Sequence, residues 1–581
     1  MTILQDLESR LSFAVSTVIG ESAAAPVTVA ADLRFGDYQS NAAMVLAKQR
    51  KTNPRTLAQE ILDKIDLAGL ATADIAGPGF LNFRILPQAY ATYTAALIRD
   101  EKLGVPDIGQ GRTVVVDFSA PNVAKPMHVG HIRSTIIGDS LSRIARYLGY
   151  TVISDNHIGD WGTQFGMILH GWKTLLDQAA LEADPIPELV RVYRDVNAAA
   201  KADPAVLDLC KAELVRLQAG DAGNLAIWKQ CIEVSKKGLQ KIYNRLDVSF
   251  DYWLGESFYN DQLADIVDEF LTKGIARVSD GAVCIFASGE FPDEQDPFRV
   301  NKENGWTDNP AIIRKADGGF LYATTDLATL DYRVKTWKAD HIWYVVGVPQ
   351  SLHFRQIFDA ARRWGVHADC QHVAFGSILG EDRKLMKTRS GDNVQLVDVL
   401  EEAVERAAKV IAEKNPDLPV QEAAQIAEMV GIGAVKFSEL SQNRLTDYVF
   451  SWDRMLALQG DTAPYLQYSN VRILSIFRKL DEPFDATSAT IVLDDDAEIH
   501  LARLIARFGE VLPTVIEDYR PNLLANYLLE LARGFHSFFE ACPVLKSDGP
   551  VRASRLALCE LTSRVLTTGL GLLGIKVPER M

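Results

Sequence analysis

Apolar positions change period along the chain, and the changes divide it into three regions. Up to residue 105, helical spacing alternates with short strand-like runs: Leu4, Leu7, Leu11, Ala14 and Val18 mark one helix, and Gly77-Pro-Gly79 turns into Phe80-Leu-Asn-Phe83. This predicts an α+β domain over 1–105. From 110 to 395, apolar runs at 113–118, 150–154, 311–315, 320–323, 341–346 and 372–375 alternate with helical spacing at 136–148, 325–334 and 352–364. That is the rhythm of a parallel sheet covered on both faces, the α/β class. Charged helical segments at 190–211 and 227–246, with short strands near 281–286, interrupt it between 170 and 305. From 396 to 581, helical spacing recurs at 397–411, 426–437, 465–480, 499–511, 524–539 and 557–570, which predicts an all-α bundle.

Composition narrows the picture. A chain of 581 residues is too long for one core, and 48% hydrophobic with 24% charged residues is ordinary for a globular protein. No apolar run approaches a membrane span, and Asp6, Glu8 and Arg10 break up the first helix, unlike a signal peptide. The expectation is a cytoplasmic protein with no membrane partner. Six cysteines lie far apart, which indicates neither disulfides nor a zinc knuckle. A net charge of −15 argues against a protein that coats nucleic acid, and no DNA partner is expected, although a local basic track is compatible with it.

Chemistry concentrates where the strand at 113–118 runs into Ser119-Ala-Pro-Asn-Val-Ala-Lys-Pro-Met-His-Val-Gly-His131 and then a helix. The N-terminus of a helix offers unpaired N–H groups and a positive dipole end, so this turn is first a phosphate site. His128 and His131, three apart, can face one way and stabilise charge on a triphosphate; Lys125 adds a mobile cation. Gly130 is expected to let a flat base or ribose approach the backbone. A metal site is the alternative, but no Cys and no carboxylate nearer than Asp139 accompanies the pair, so no bound metal is expected. The polar, glycine-rich stretch 155–166 should line the pocket, since ligands sit beyond the carboxyl ends of parallel strands. Asp160 and Gln164 within it are either contacts or supports. Tyr322 and Asp326 at a strand-to-helix junction, and Gln350 after a buried strand, are further pocket candidates. Asp326 is notable because a carboxylate can take two parallel hydrogen bonds from a guanidinium, which lysine cannot reproduce. A basic loop at 380–392 carries Lys387 and Arg389 and can bring cations onto leaving phosphates.

Ser-x-Pro-Asn-x-Ala-Lys-Pro-x-His-x-Gly-His-x-Arg-Ser-Thr resembles the HIGH signature of class I aminoacyl-tRNA synthetases, in the extended form of the arginyl-tRNA synthetases. Gly159-Asp-Trp-Gly-Thr-Gln-Phe-Gly166, the segments 444–454 and 460–468 and the closing Val-Pro-Glu-Arg-Met are similar to the same family, and the resemblance spans nearly the whole chain. It implies a split Rossmann-like catalytic domain over 110–395, with 170–305 contacting the acceptor end of tRNA, a tRNA-contacting domain over 1–105 and an anticodon-binding bundle over 396–581. It also implies ATP and Mg²⁺, activation of arginine to the adenylate, transfer to tRNA(Arg), dependence of activation on tRNA, and a monomer. Pro121, Asn122, Val123, Ala124, Lys125, Pro126, Met127, His128, Val129, Gly130 and His131 would bind ATP. Asp117, Ser119, Asn122, Tyr322, Asp326 and Gln350 would contact arginine, and His128, His131, Lys125, Lys387 and Arg389 would serve catalysis. Asp37 and Asn41, which could instead cap and orient a helix, and Trp452, Tyr465, Tyr468 and Arg472, which could instead be core, would touch tRNA. The loop 380–392 resembles the family's altered KMSKS loop, and which cation replaces the second lysine is open. The rivals are a synthetase for another amino acid, a binding protein that keeps only the fold, and a small nucleotidyltransferase, which would lack the bundle.

Overall fold

The computed structural model describes residues 1–303, 305–380, 383–384, 394–457 and 460–581. They form two compact units, Gly109–Leu456, and Met1–Ile108 together with Ala457–Met581. No helix among the described residues is long and apolar enough to cross a membrane.

In the first unit four parallel strands lie in the order Asp369–His372, His341–Tyr344, Thr113–Asp117, Thr151–Asp155. Val114, Val115 and Val116 are fully buried because the central strand is covered on both faces. Val115 and Ile342 pack with Leu327, Ile357 and Phe270 from helices Tyr322–Lys335, Ser351–Trp364 and Leu263–Thr272. Helix Gly130–Tyr147 packs against the two strands it connects. A Cβ on Gly138 would fall 2.2 Å from Phe118 Cγ, so only glycine permits that approach. Between the second strand and the third, the chain builds the expected insertion, with helices Thr163–Thr174, Pro185–Ala202, Pro204–Gln218 and Ala222–Leu246 and a three-stranded antiparallel sheet.

Three expectations need correction. Residues 311–314 are a strand, but they pair antiparallel with Ala282–Ile285 outside the parallel sheet. Ala311 and Ile313 point inward while Ile312 is exposed, a burial pattern that suits a half-solvated sheet. The strand expected at 320–323 is instead the entry to helix Tyr322–Lys335, where the Thr324 hydroxyl bonds back to the Ile313 carbonyl. Helices Leu396–Lys414 and Val420–Leu440, placed by periodicity in the C-terminal bundle, pack in the first unit, so the division lies at 456/457 and not at 395/396. Buried ion pairs hold the second of them there: Arg133 Nε to Glu439 Oε2 at 3.0 Å and Lys436 Nζ to Asp139 Oδ2 at 3.8 Å join helices Gly130–Tyr147 and Val420–Leu440.

The second unit joins the N-terminal α+β portion to the terminal helices. Its antiparallel sheet runs Thr28–Val29, Tyr38–Ser40, Phe80–Ile85, Ala71–Ala76. The helix expected at 499–511 is two, Asp496–Ala506 and Phe508–Asp518. Tyr38 OH donates to Glu510 at 3.0 Å, and Arg564 donates to the Ile98 and Asp100 carbonyls at 2.8 and 2.7 Å, fastening the two parts together.

Candidate active site

Parallel pairing sets Asp117 opposite Asp155 at the carboxyl edge of the sheet. Both are buried, and two adjacent buried carboxylates require a counter-charge. Arg333, wholly buried on helix Tyr322–Lys335, supplies it: its Nη2 donates to Asp117 Oδ2 at 2.7 Å and to Asp155 Oδ2 at 2.8 Å. Because two carboxylates share one cation, burial still raises the pKa of Asp117, against the pull of Arg333 and His157. Asp117 Oδ1 has no hydrogen-bond partner among the described residues.

Beyond the strand the backbone is strained. Ser119, Ala120 and Ala124 have φ of +72°, +46° and +58°, the left-handed region, at a cost of about 1 kcal/mol or more each. Hydrogen bonds over-determine the turn. Ser119 N–H donates to Ser134 Oγ at 2.8 Å, Ala120 N–H to Asn156 Oδ1 at 3.1 Å, Val123 N–H to the Gly159 carbonyl at 3.1 Å and Ala124 N–H to Ser235 Oγ at 3.0 Å. The Ser119 hydroxyl is shared between Thr135 Oγ1 at 2.8 Å and Tyr243 OH at 2.7 Å, so this buried residue, expected among the arginine contacts, builds the turn. Asn122 is exposed at the tip, with Gln164 Nε2 at 3.5 Å from its Oδ1 and 3.0 Å from the Gly159 carbonyl. Gln164 is thus a brace.

The two histidines have defined tautomers. His131 Nδ1 accepts the His128 N–H at 3.1 Å, and His128 Nδ1 accepts the Gly130 N–H at 3.1 Å. A ring nitrogen that accepts carries no proton, so each neutral imidazole presents Nε2–H as a donor. Burial lowers both pKa values, that of His131 to about 4, so both rings are neutral near pH 7. A Cβ on Gly130 would lie 2.8 Å from His128 Cε1. The glycine therefore leaves room for the folded-back His128 ring. Lys125 places its ammonium over the Tyr193 ring, 4.7 Å from the centroid.

Tyr322 opens helix Tyr322–Lys335 with the ring 59% exposed and packed on His353 at 4.7 Å. One turn on, Asp326 Oδ2 lies 2.5 Å from His353 Nε2. Gln350 is exposed just before helix Ser351–Trp364. Glu256, which sequence reading passed over, belongs with this group: burial raises its pKa, the negative charges of Asp160 and Asp326 act in the same direction, and His157 opposes them. It opens the short 3₁₀ helix Glu256–Gln262, which shows no periodicity in the sequence, and a lone carboxylate there carries no signal. Asp160 supports it, accepting from Ser257 N–H at 2.8 Å and Ser257 Oγ at 2.6 Å. His353 and Arg333 were likewise unmarked. Lys387 and Arg389 lie outside the described residues, and among those described no three His, Cys, Asp or Glu side chains could hold a metal ion.

The residues expected at tRNA divide between the units. Trp452 belongs to Gly109–Leu456, where Arg406 sits over its ring at 5.2 Å and Phe450 meets its edge. Tyr468 is 46% exposed on helix Ala463–Phe477 and so is not core, whereas Tyr465 is half-buried and Arg472 lies over Phe539 at 4.5 Å. Asp37 accepts from Ile85 N–H at 2.8 Å and pairs with Arg503 at 3.4 Å; Asn41 is exposed and makes no side-chain cap bond at helix Ala42–Arg50.

Three family descriptions match the chain. The catalytic domain of class I tRNA synthetases (R) covers residues 92–452, the DALR anticodon binding domain 466–581, and the arginyl tRNA synthetase N-terminal domain 3–85. The arginine–tRNA ligase of Laribacter hongkongensis is 44% identical over 587 residues, with 100% of both chains covered. That of Thermobifida fusca is 44% identical over 554 residues, 94% of each. Among solved structures, the arginyl-tRNA synthetase of Plasmodium falciparum superposes with a TM-score of 0.83 at 28% identity, covering 100% of this chain and 99% of that one. The Thermus thermophilus arginyl-tRNA synthetase gives 0.83 at 26%, with 100% of both covered.

Proposed function

The chain belongs to the arginyl-tRNA synthetase family, and from that premise we infer how its residues share the reaction. It is an arginine–tRNA ligase: arginine and ATP give arginyl-adenylate and pyrophosphate, and the arginyl group then passes to the 3′-terminal ribose of tRNA. In the first step the substrate carboxylate attacks the α-phosphorus and the bond to pyrophosphate breaks. No side chain has to become a covalent nucleophile, so positioning and charge stabilisation carry the catalysis.

The Nε2–H groups of His128 and His131 meet the phosphates as charge builds on the leaving pyrophosphate, and Lys125 with Lys387 and Arg389 supplies positive charge around them. Asp326 receives the guanidinium, with Glu256 behind it and Tyr322 as a wall; Asp117 takes the α-ammonium; Asn122 and Gln350 complete the arginine contacts. Mg²⁺ carried on ATP would neutralise phosphate charge, and among the described residues no cluster of three His, Cys, Asp or Glu side chains stands ready to hold it apart from the nucleotide. The exposed Tyr468, with Tyr465 and Arg472 on the same helix, faces tRNA(Arg), and Trp452 and Asn41 add contacts. Activation depends on bound tRNA. The enzyme acts as a monomer, and six unpaired thiols suit the reducing cytoplasm.

The observation that carries this reading is the histidine pair with both Nδ1 atoms committed to backbone N–H groups. Replacing either ring by asparagine should slow arginine-dependent ATP–pyrophosphate exchange by about 10²-fold or more. Unchanged exchange in both variants would remove the histidines from the mechanism. Lys125→Ala at full rate would do the same for Lys125.

A further inference from the structure

Lys125 reaches from the signature turn to helix Pro185–Ala202, where its ammonium lies over the face of Tyr193, with Nζ 4.7 Å from the ring centroid. Among the described residues no carboxylate lies within ion-pair distance of that ammonium. The difference matters chemically. A carboxylate would neutralise the lysine, and phosphate would have to displace it; an aromatic face attracts the cation and leaves its whole charge available. The ring is also a firm support. Tyr193 is half-buried against the cluster of Val123, Ala124, Ile158, Phe165 and Leu189, so the residues flanking Lys125 and the ring beneath its ammonium share one packed layer. The bond from Ala124 N–H to Ser235 Oγ ties the turn to another helix of the same layer.

We infer that Tyr193 is a positioning residue for Lys125: its π-face holds the ammonium beside the signature turn and sets the direction from which it meets the β- and γ-phosphates of ATP. This rests on the part assigned to Lys125 above. It means that the insertion, through one ring, takes part in the activation step.

The test is arginine-dependent ATP–pyrophosphate exchange, run with tRNA, on the full chain carrying Tyr193→Phe, Tyr193→Leu, Lys125→Ala or Lys125→Ala with Tyr193→Leu, with thermal unfolding to verify folding. Phenylalanine keeps the π-face and should stay within about twofold of the wild type, whereas leucine should cut turnover by about 3- to 30-fold with KM for arginine unchanged. The double variant should be no slower than Lys125→Ala alone. Tyr193→Leu at wild-type rate, Tyr193→Phe as slow as Tyr193→Leu, or multiplied losses in the double variant would each overturn the inference. A slow Lys125→Ala beside a fast Tyr193→Leu removes only the role of Tyr193. A Lys125→Ala variant at full rate removes Lys125 from the reaction, and the inference with it.

Discussion

His353 Nε2 lies 2.5 Å from Asp326 Oδ2, so the carboxylate assigned to the guanidinium already has one oxygen held in place. Asp326→Asn keeps the shape and removes the charge and one acceptor. Losing a charged hydrogen bond and its fork costs about 2–4 kcal/mol, so KM for arginine should rise by about 30- to 1000-fold while KM for ATP holds. Steady-state exchange kinetics check this, and a parallel rise in both constants would place the fault elsewhere.

His131 should oppose acid. Its pKa in the fold, about 4, lies below the unfolded value near 6.5, so the unfolded chain takes up the proton first. Its contribution to stability is whole above about pH 6.5 and is lost as pH falls toward 4, by up to about 3 kcal/mol. Urea unfolding between pH 7 and pH 5 should therefore fall more steeply for the wild type than for His131→Asn. Equal slopes would mean that the imidazole is not held neutral.

Arg333 should be costly to remove. Arg333→Met leaves Asp117 and Asp155 buried side by side without their cation, a loss of about 3–5 kcal/mol, and adding Asp155→Asn should recover much of it. Chemical denaturation of the single and double variants reads both effects. A double variant less stable than the single one would show that charge is not the cause.

Glu510 works in the opposite direction to His131. Burial pushes its carboxyl up to about 7, above its unfolded value near 4.5, against the hydrogen bonds it accepts from the Leu4 N–H and Tyr38 OH, so the fold keeps the proton longer. Stability from this group is full below about pH 4.5 and is lost as pH rises through 7, by up to about 3 kcal/mol. Glu510→Gln should flatten that decline in unfolding experiments from pH 5 to pH 8; an unchanged decline would contradict it.

The legible part of the structure is the part written in local pattern. Val114 to Val116 announce a doubly covered strand, and the spacing of His128, Gly130 and His131 marks the turn that follows. Helical spacing in Leu396–Lys414 and Val420–Leu440 shows that these segments are helices but not which core receives them; Arg133 and Glu439, some three hundred positions apart, decide that. Glu256 and Arg333 stayed hidden for the same reason, since each acquires meaning only from partners distant in sequence. The glycine at 130 was legible as a close-approach position, but the room it leaves for the neighbouring His128 ring was not.

The most direct test of the account is ATP–pyrophosphate exchange with each of the twenty amino acids, with and without total tRNA. Exchange with arginine alone, and only when tRNA is present, is the predicted result. Exchange supported by another amino acid, or by none from folded protein, would contradict the arginine pocket built around Asp326.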